Sequence, residues 1–130
     1  MLERSFRIPA TPDASRVARQ ALDGWLNDLV GRDRADDVRL LTTELVSNAI
    51  RHGGVPQGSD ITVDVAAFES SVTVFVRQPT SVERVALRTG GAPEEGGLGL
   101  QLVDRLADGW GVEHGIPGSV WFGVLGSESS

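Results

Sequence analysis

The sequence predicts an α+β fold: a two-layer sandwich in which a mostly antiparallel sheet is covered on one face by three helices. Three observations predict it. Two long stretches, 14–29 and 38–50, repeat apolar residues at helical spacing. Two shorter stretches, 61–65 and 72–76, alternate apolar and polar residues at the period of a half-buried strand. The resulting order, β-α-α-β-β-loop-α-β-β, keeps strands adjacent and leaves the helices to one face.

Each element has its own signal. Ser5 to Pro9 reads as a short first strand. The first helix follows, with Thr11 as its cap, Pro12 at its first position and Asp13 complementing the dipole. Its stripe is Ala14, Val17, Ala18, Ala21, Leu22, Trp25, Leu26 and Leu29, and Gly31 stops it. The second helix runs from near Asp33 to His52 on the stripe Val38, Leu41, Leu45 and Ala49, widened by Val46 and Ile50, and ends at Gly53-Gly54. Ile61, Val63 and Val65, then Val72, Val74 and Val76, form two strands joined near Glu69-Ser70 in an antiparallel hairpin.

Residues 78–97 lack periodicity and carry two prolines and four glycines. So long a stretch is disordered or functional, and here it suits a lid. A third helix covers Leu98 to Ala107. Trp110 to Glu113 and Ser119 to Leu125 are two more strands across the turn HGIPG. The tail, about 126–130, is expected to fray. No internal repeat and no second domain is visible, so residues 1–130 read as one domain.

Composition narrows the function. At 130 residues the chain buries roughly two thirds of its unfolded surface, enough for a core. The formal net charge of -6 argues against nucleic-acid binding, which needs a basic footprint. It leaves nucleotide binding open, because backbone amides and a metal ion hold phosphates without Lys or Arg. Cysteine is absent, which removes disulfides and thiolate chemistry, and two His are too few for a zinc site. The N-terminus MLERSFRIPA has no apolar core of a signal peptide, and no apolar run has the length of a membrane span. The expectation is a soluble cytoplasmic protein.

Three constellations carry possible chemistry. Glu44, Asn48 and His52 share one helix face at i, i+4 and i+8 beside the apolar stripe. Asn48 offers a neutral oxygen for Mg²⁺, Glu44 can accept a proton, and Arg51 can reach a phosphate. The same residues also suit a solvated helix edge. Glu95-Gly96-Gly97-Leu98-Gly99-Leu100 places glycines where a loose segment enters a helix. Free N–H groups and the helix dipole favour an anion there, although a plain linker reads the same. Pro117-Gly118-Ser119-Val120-Trp121-Phe122 is a tight turn and a last strand. Together the first two put a metal ligand and a phosphate cradle on one domain.

These motifs, in this order, resemble the GHKL superfamily of ATPases and kinases. ELVSNAIRHG is similar to its N box, GGLGLQLVDRLADGWGVE to its glycine-rich box with the helix and strand that follow, and GSVWF to its last box. The resemblance covers the chain to about Leu125. The small size, the form E-L-x-x-N-A-x-x-H-G and the ending VWF resemble the branch of anti-sigma-factor serine/threonine kinases. The resemblance implies ATP and Mg²⁺ held between helices and a lid. It makes Asn48 the Mg²⁺ ligand and Glu44 the catalytic base, and it turns Arg51 and His52 to the nucleotide. Gly97, Leu98, Gly99 and Leu100 would take the phosphates on their amides. Ser119 falls where the family usually has Thr beside adenine. It implies a sigma factor or an anti-sigma-factor antagonist as partner, with homodimers common.

Two segments depart from the family pattern. Gln78 stands where the family usually has the Asp that accepts a hydrogen bond from the adenine amino group, and the glycines of D-x-G-x-G are missing from Arg77-Gln78-Pro79-Thr80-Ser81. A neutral amide there costs about 1 kcal/mol or more against a charge-assisted bond. Gly118 replaces the usual Lys. Two functions therefore stand: an ATP-using serine/threonine kinase or ATPase, and a degenerate domain that acts by protein binding alone.

Overall fold

A computed structural model describes residues 2–82 and 98–126. Met1, residues 83–97 of the expected lid and residues 127–130 of the expected tail lie outside the described residues. In chain order the elements are β1 (Leu2–Pro9), α1 (Ala14–Leu22), α2 (Leu26–Val30), α3 (Arg32–His52), β2 (Asp60–Phe68), β3 (Ser71–Gln78), α4 (Leu98–Leu106), β4 (Gly109–Glu113) and β5 (Gly118–Leu125). The five strands form one sheet in the order β1-β2-β3-β5-β4. Every neighbouring pair is antiparallel.

The pleat separates the two faces. Val63 opposes Val76, Val65 opposes Val74, and Phe122 and Val124 oppose Val74 and Val72. All are buried and share the helix side. The alternate residues Asp64, Phe75, Arg77, Ser119 and Trp121 fall on the other face. Long α3 is the centre of the helical layer: Ala35, Val38, Leu41, Leu45, Val46 and Ala49 are buried along it. The helices α1, α2 and α4 pack around it. Burying a side chain such as Phe122 or Leu41 contributes about 1.5–3 kcal/mol, so this interface carries the fold.

The first predicted helix is two helices. Asp23 is extended (φ -69, ψ 146) and Gly24 has φ 98, so the chain leaves the helical region between Leu22 and Leu26. The apolar spacing survives because both pieces face the same core: Leu22, Leu26 and Val30 are all buried. The described residues thus hold four helices where three were expected. Thr11 does not cap α1 from the N-cap position. That position is Asp13, without a side-chain cap bond, while Thr11 Oγ1 accepts the Asp13 N–H at 3.3 Å.

Candidate functional site

Helix α3 carries the polar edge that its spacing predicts. Glu44 and Asn48 are half-buried beside the core stripe, and Arg51 and His52 are exposed in the last turn. Among the described residues, the side chains of these four make no hydrogen bond and no ion pair. Two arginines nearer the start of the helix are held differently. Arg34 pairs with Asp37 and Asp108, and Arg39 with Asp23 and Asp36. The Glu44–Asn48 edge thus sets a carboxylate and a carboxamide oxygen one helical turn apart.

The end of β3 meets the end of α3. Gln78 is 6% exposed. Its Nε2 lies 3.3 Å from the Gly53 carbonyl, 3.0 Å from Thr80 Oγ1 and 2.9 Å from the Ser81 carbonyl. The Thr80 hydroxyl in turn donates to the Gly53 carbonyl. These partners fix which end of the amide is which: a flipped Gln78 would set its oxygen against two carbonyl oxygens. Both Nε2 hydrogens are therefore used inside the protein. A Cβ on Gly53 would stand 2.9 Å from Gln78 Oε1 and 3.0 Å from its Nε2, so the close approach requires glycine.

The segment after β3 is held on its other side too. The Gly118 N–H donates to the Thr80 carbonyl at 3.0 Å. A Cβ on Gly118 would stand 2.7 Å from the Val82 nitrogen, so the usual Lys of the family pattern has no room here. His114 Nδ1 lies 3.1 Å from the Val82 carbonyl.

Ser119 is not part of this group. It pairs with Arg77 in register and shares its face, away from the helices. It is 1% exposed, and its hydroxyl donates to Glu113 Oε1 at 2.7 Å. Arg77 bonds the same Glu113 oxygen at 3.3 Å and Asp64 at 2.8 Å. Ser119 thus serves a polar ladder across four strands.

Helix α4 begins at Leu98, with Gly99 and Leu100 in its first turn, and Gly97 lies outside the described residues. Buried Val103 and the partly buried Leu102 and Leu106 fasten it to the core. Amides of a first helical turn lack intrahelical partners and favour an anion.

The donor set suits a nucleotide with Mg²⁺. The unpaired Asn48 and Glu44 oxygens are hard ligands, as Mg²⁺ prefers. Among the described residues no cluster of three or more His, Cys, Asp or Glu could hold a metal. An ion here would therefore share its coordination with phosphate and water. A cavity of 410 Å³ lies on the neighbouring side of α3, between Ser47, Ile50 and Arg51 and the start of α1 at Thr11, Pro12 and Ser15. Arg51 lines that cavity; Glu44 and Asn48 do not.

Sequence reasoning did not single out Arg34, Thr80 or the steric role of Gly53. Thr80 carries no local signal for its bond to Gly53, since that carbonyl is 27 residues away. Arg34 was hidden in the charge-rich run RDRADD.

An antiparallel sheet under one layer of helices, with an Asn-bearing helix and a glycine-rich helix start, defines an ATPase domain of the GHKL kind. The chain belongs to the histidine kinase-like ATPase domain family, whose model matches residues 8–119. No curated protein matches it. Among solved structures it is similar to the RsbU and RsbW domains of Rv1364c from Mycobacterium tuberculosis, with a TM-score of 0.72 and 22% identity. The match covers 96% of this chain and 32% of that one. The chain thus spans about a third of the length of that solved chain, and the likeness is one of fold.

Proposed function

We propose that this domain binds ATP with Mg²⁺ and works as a serine/threonine protein kinase of the anti-sigma-factor type. It would control transcription by binding a sigma factor or by phosphorylating the antagonist of an anti-sigma factor. The observation that carries this reading is the half-buried Glu44–Asn48 edge of α3, whose two side chains bond to no other described residue. Family membership and the fold shared with a protein that includes an RsbW domain support it.

In this reading Asn48 holds Mg²⁺, and the first-turn amides of α4 with Gly97 receive the phosphates. Arg51 and His52 face the nucleotide from the helix end. Glu44 takes the proton of the acceptor hydroxyl, and positioning and charge stabilisation supply the rest. Magnesium, when bound, neutralises phosphate charge. Among the described residues no helix is long and apolar enough to cross a membrane.

Calorimetry with millimolar Mg-ATP tests the binding step, and transfer of labelled phosphate to a candidate antagonist tests the chemistry. Heat with no transfer leaves a nucleotide-binding regulator. No heat at all defeats the reading in favour of a protein-binding module. That second reading has its own support in Gln78, whose amide hydrogens are turned inward where the family usually presents a carboxylate to the base.

A further inference from the structure

Arg34, in the first turns of α3, is tied to four acceptors. Nε donates to the Leu125 carbonyl at 3.0 Å, Nη2 to Asp108 Oδ2 at 2.8 Å, and Nη1 to Asp37 Oδ2 at 2.7 Å and to the Leu106 carbonyl at 3.3 Å. Asp108 Oδ2 also accepts the Leu125 N–H at 2.7 Å, and the Asp108 N–H donates to the Gly123 carbonyl at 2.9 Å. One guanidinium therefore joins α3 to the end of α4, the link into β4 and the end of β5. Its planar fork meets acceptors in several directions, which an ammonium cannot match.

Leu106 is the last residue of α4. Its carbonyl is one that the helix itself cannot satisfy, and a cation there complements the dipole. With nine residues α4 is too short to persist alone, so its anchors set its position. Val103 and its apolar neighbours fix how deep the helix sits, but such contacts are non-directional and permit sliding. Direction comes from Arg34 at the last turn and from the Trp110 Nε1–Asp104 bond of 3.0 Å. A nine-residue helix moves as one body, so a shift of its last turn is a shift of Leu98, about 12 Å away.

We propose that Arg34 is a positioning residue for the anion-binding end of α4: it sets, from the opposite end of the helix, where the first-turn amides stand relative to Asn48. This rests on the nucleotide reading above. A plain stability role would weaken every ligand alike. A positioning role weakens ligands in proportion to their phosphates.

The test uses the full chain with Arg34→Met, Arg34→Lys and Asp108→Asn. Mg-ATP affinity is read by calorimetry, adenosine affinity by chemical-shift titration, and amide exchange of α4 without nucleotide by mass spectrometry. For Arg34→Met the expected result is a loss of ATP affinity of about tenfold with adenosine within about twofold, as for one displaced phosphate contact. Exchange in Leu98–Leu106 accelerates, and Arg34→Lys falls between. A folded Arg34→Met that loses ATP and adenosine equally, or keeps its ATP affinity, overturns the inference. If Arg34→Met does not fold, Asp108→Asn decides: it keeps the shape and weakens the two bonds that Asp108 Oδ2 accepts, from Arg34 and from the Leu125 N–H, so a smaller loss confined to ATP is expected, and no such selectivity overturns the inference. Wild-type protein that binds no Mg-ATP removes the nucleotide reading and this inference together. Wild-type binding with an unselective Arg34→Met removes the inference alone.

Discussion

The amide nitrogen of Gln78 lies 3.3 Å from the carbonyl oxygen of Gly53, and this contact seals the end of β3 against the end of α3. Gly53 has ordinary helical angles (φ -84, ψ -6), so its glycine is required by space alone. Its neighbour Gly54 is the opposite case: φ is 63, and nothing lies within 4 Å of an added Cβ.

The pair therefore separates two reasons for glycine. Gly53→Ala places a methyl against the Ala49 carbonyl and the Gln78 amide. It should cost about 1–3 kcal/mol by overpacking and loosen the segment after β3. Gly54→Ala meets no atom and should cost about 1 kcal/mol from backbone strain alone. Urea denaturation of both variants checks the ranking, and a Gly53→Ala as stable as wild type would contradict the close approach.

Gln78→Glu tests the amide's orientation. The substitution keeps the shape but sets a carboxylate oxygen against the Gly53 and Ser81 carbonyls. At neutral pH it should destabilise the domain by about 1–3 kcal/mol. Protonated, the same side chain can still donate one bond. Burial among acceptors raises the carboxyl's pKa in the folded state above its unfolded value, so folding takes up a proton. The deficit should thus be smallest in acid, begin to grow at the unfolded carboxylate range and go on growing until pH has passed the raised folded value. A deficit independent of pH would mean that the side chain had swung out to water.

These two positions also mark what the sequence could disclose. The hairpin of β2 and β3 was legible because alternation is local, and its turn falls where Glu69 takes φ 55. The polar edge of α3 was legible because i and i+4 always share a face. The break after Leu22 was not, because α1 and α2 bury residues in the same core and the apolar period runs on through Gly24. The inward turn of Gln78 was beyond local reasoning, since it depends on Gly53, 25 residues away. Ser119 is more instructive. Its alternation with Val120, Phe122 and Val124 assigns it to the face away from the helices, and its register with Arg77 agrees.

Thr42 offers a test of the core. It is fully buried on α3, and its hydroxyl has no hydrogen-bond partner among the described residues. An unsatisfied buried hydroxyl costs about 1–3 kcal/mol, and Val has nearly the same shape and helix propensity. Thr42→Val should therefore raise stability by about 1 kcal/mol in thermal or urea unfolding. A loss of stability would show that the hydroxyl is satisfied in solution.

Glu44 and Asn48 should behave in the reverse way, mattering for ligand and not for fold. Neither side chain bonds to another described residue, so Asn48→Ala and Glu44→Gln should change stability by less than about 0.5 kcal/mol. Their functional effects should differ from each other. Asn48→Ala removes the neutral oxygen offered to Mg²⁺ and should abolish the calorimetric signal with Mg-ATP. Glu44→Gln keeps the size of the side chain but not its basicity, so nucleotide should still bind. Phosphate transfer to a protein acceptor should then fall about a hundredfold or more. Titration and labelled transfer on the same preparations separate the two roles. A stable Asn48→Ala that binds Mg-ATP like wild type would remove this helix edge from the nucleotide site, whatever the fate of the kinase activity.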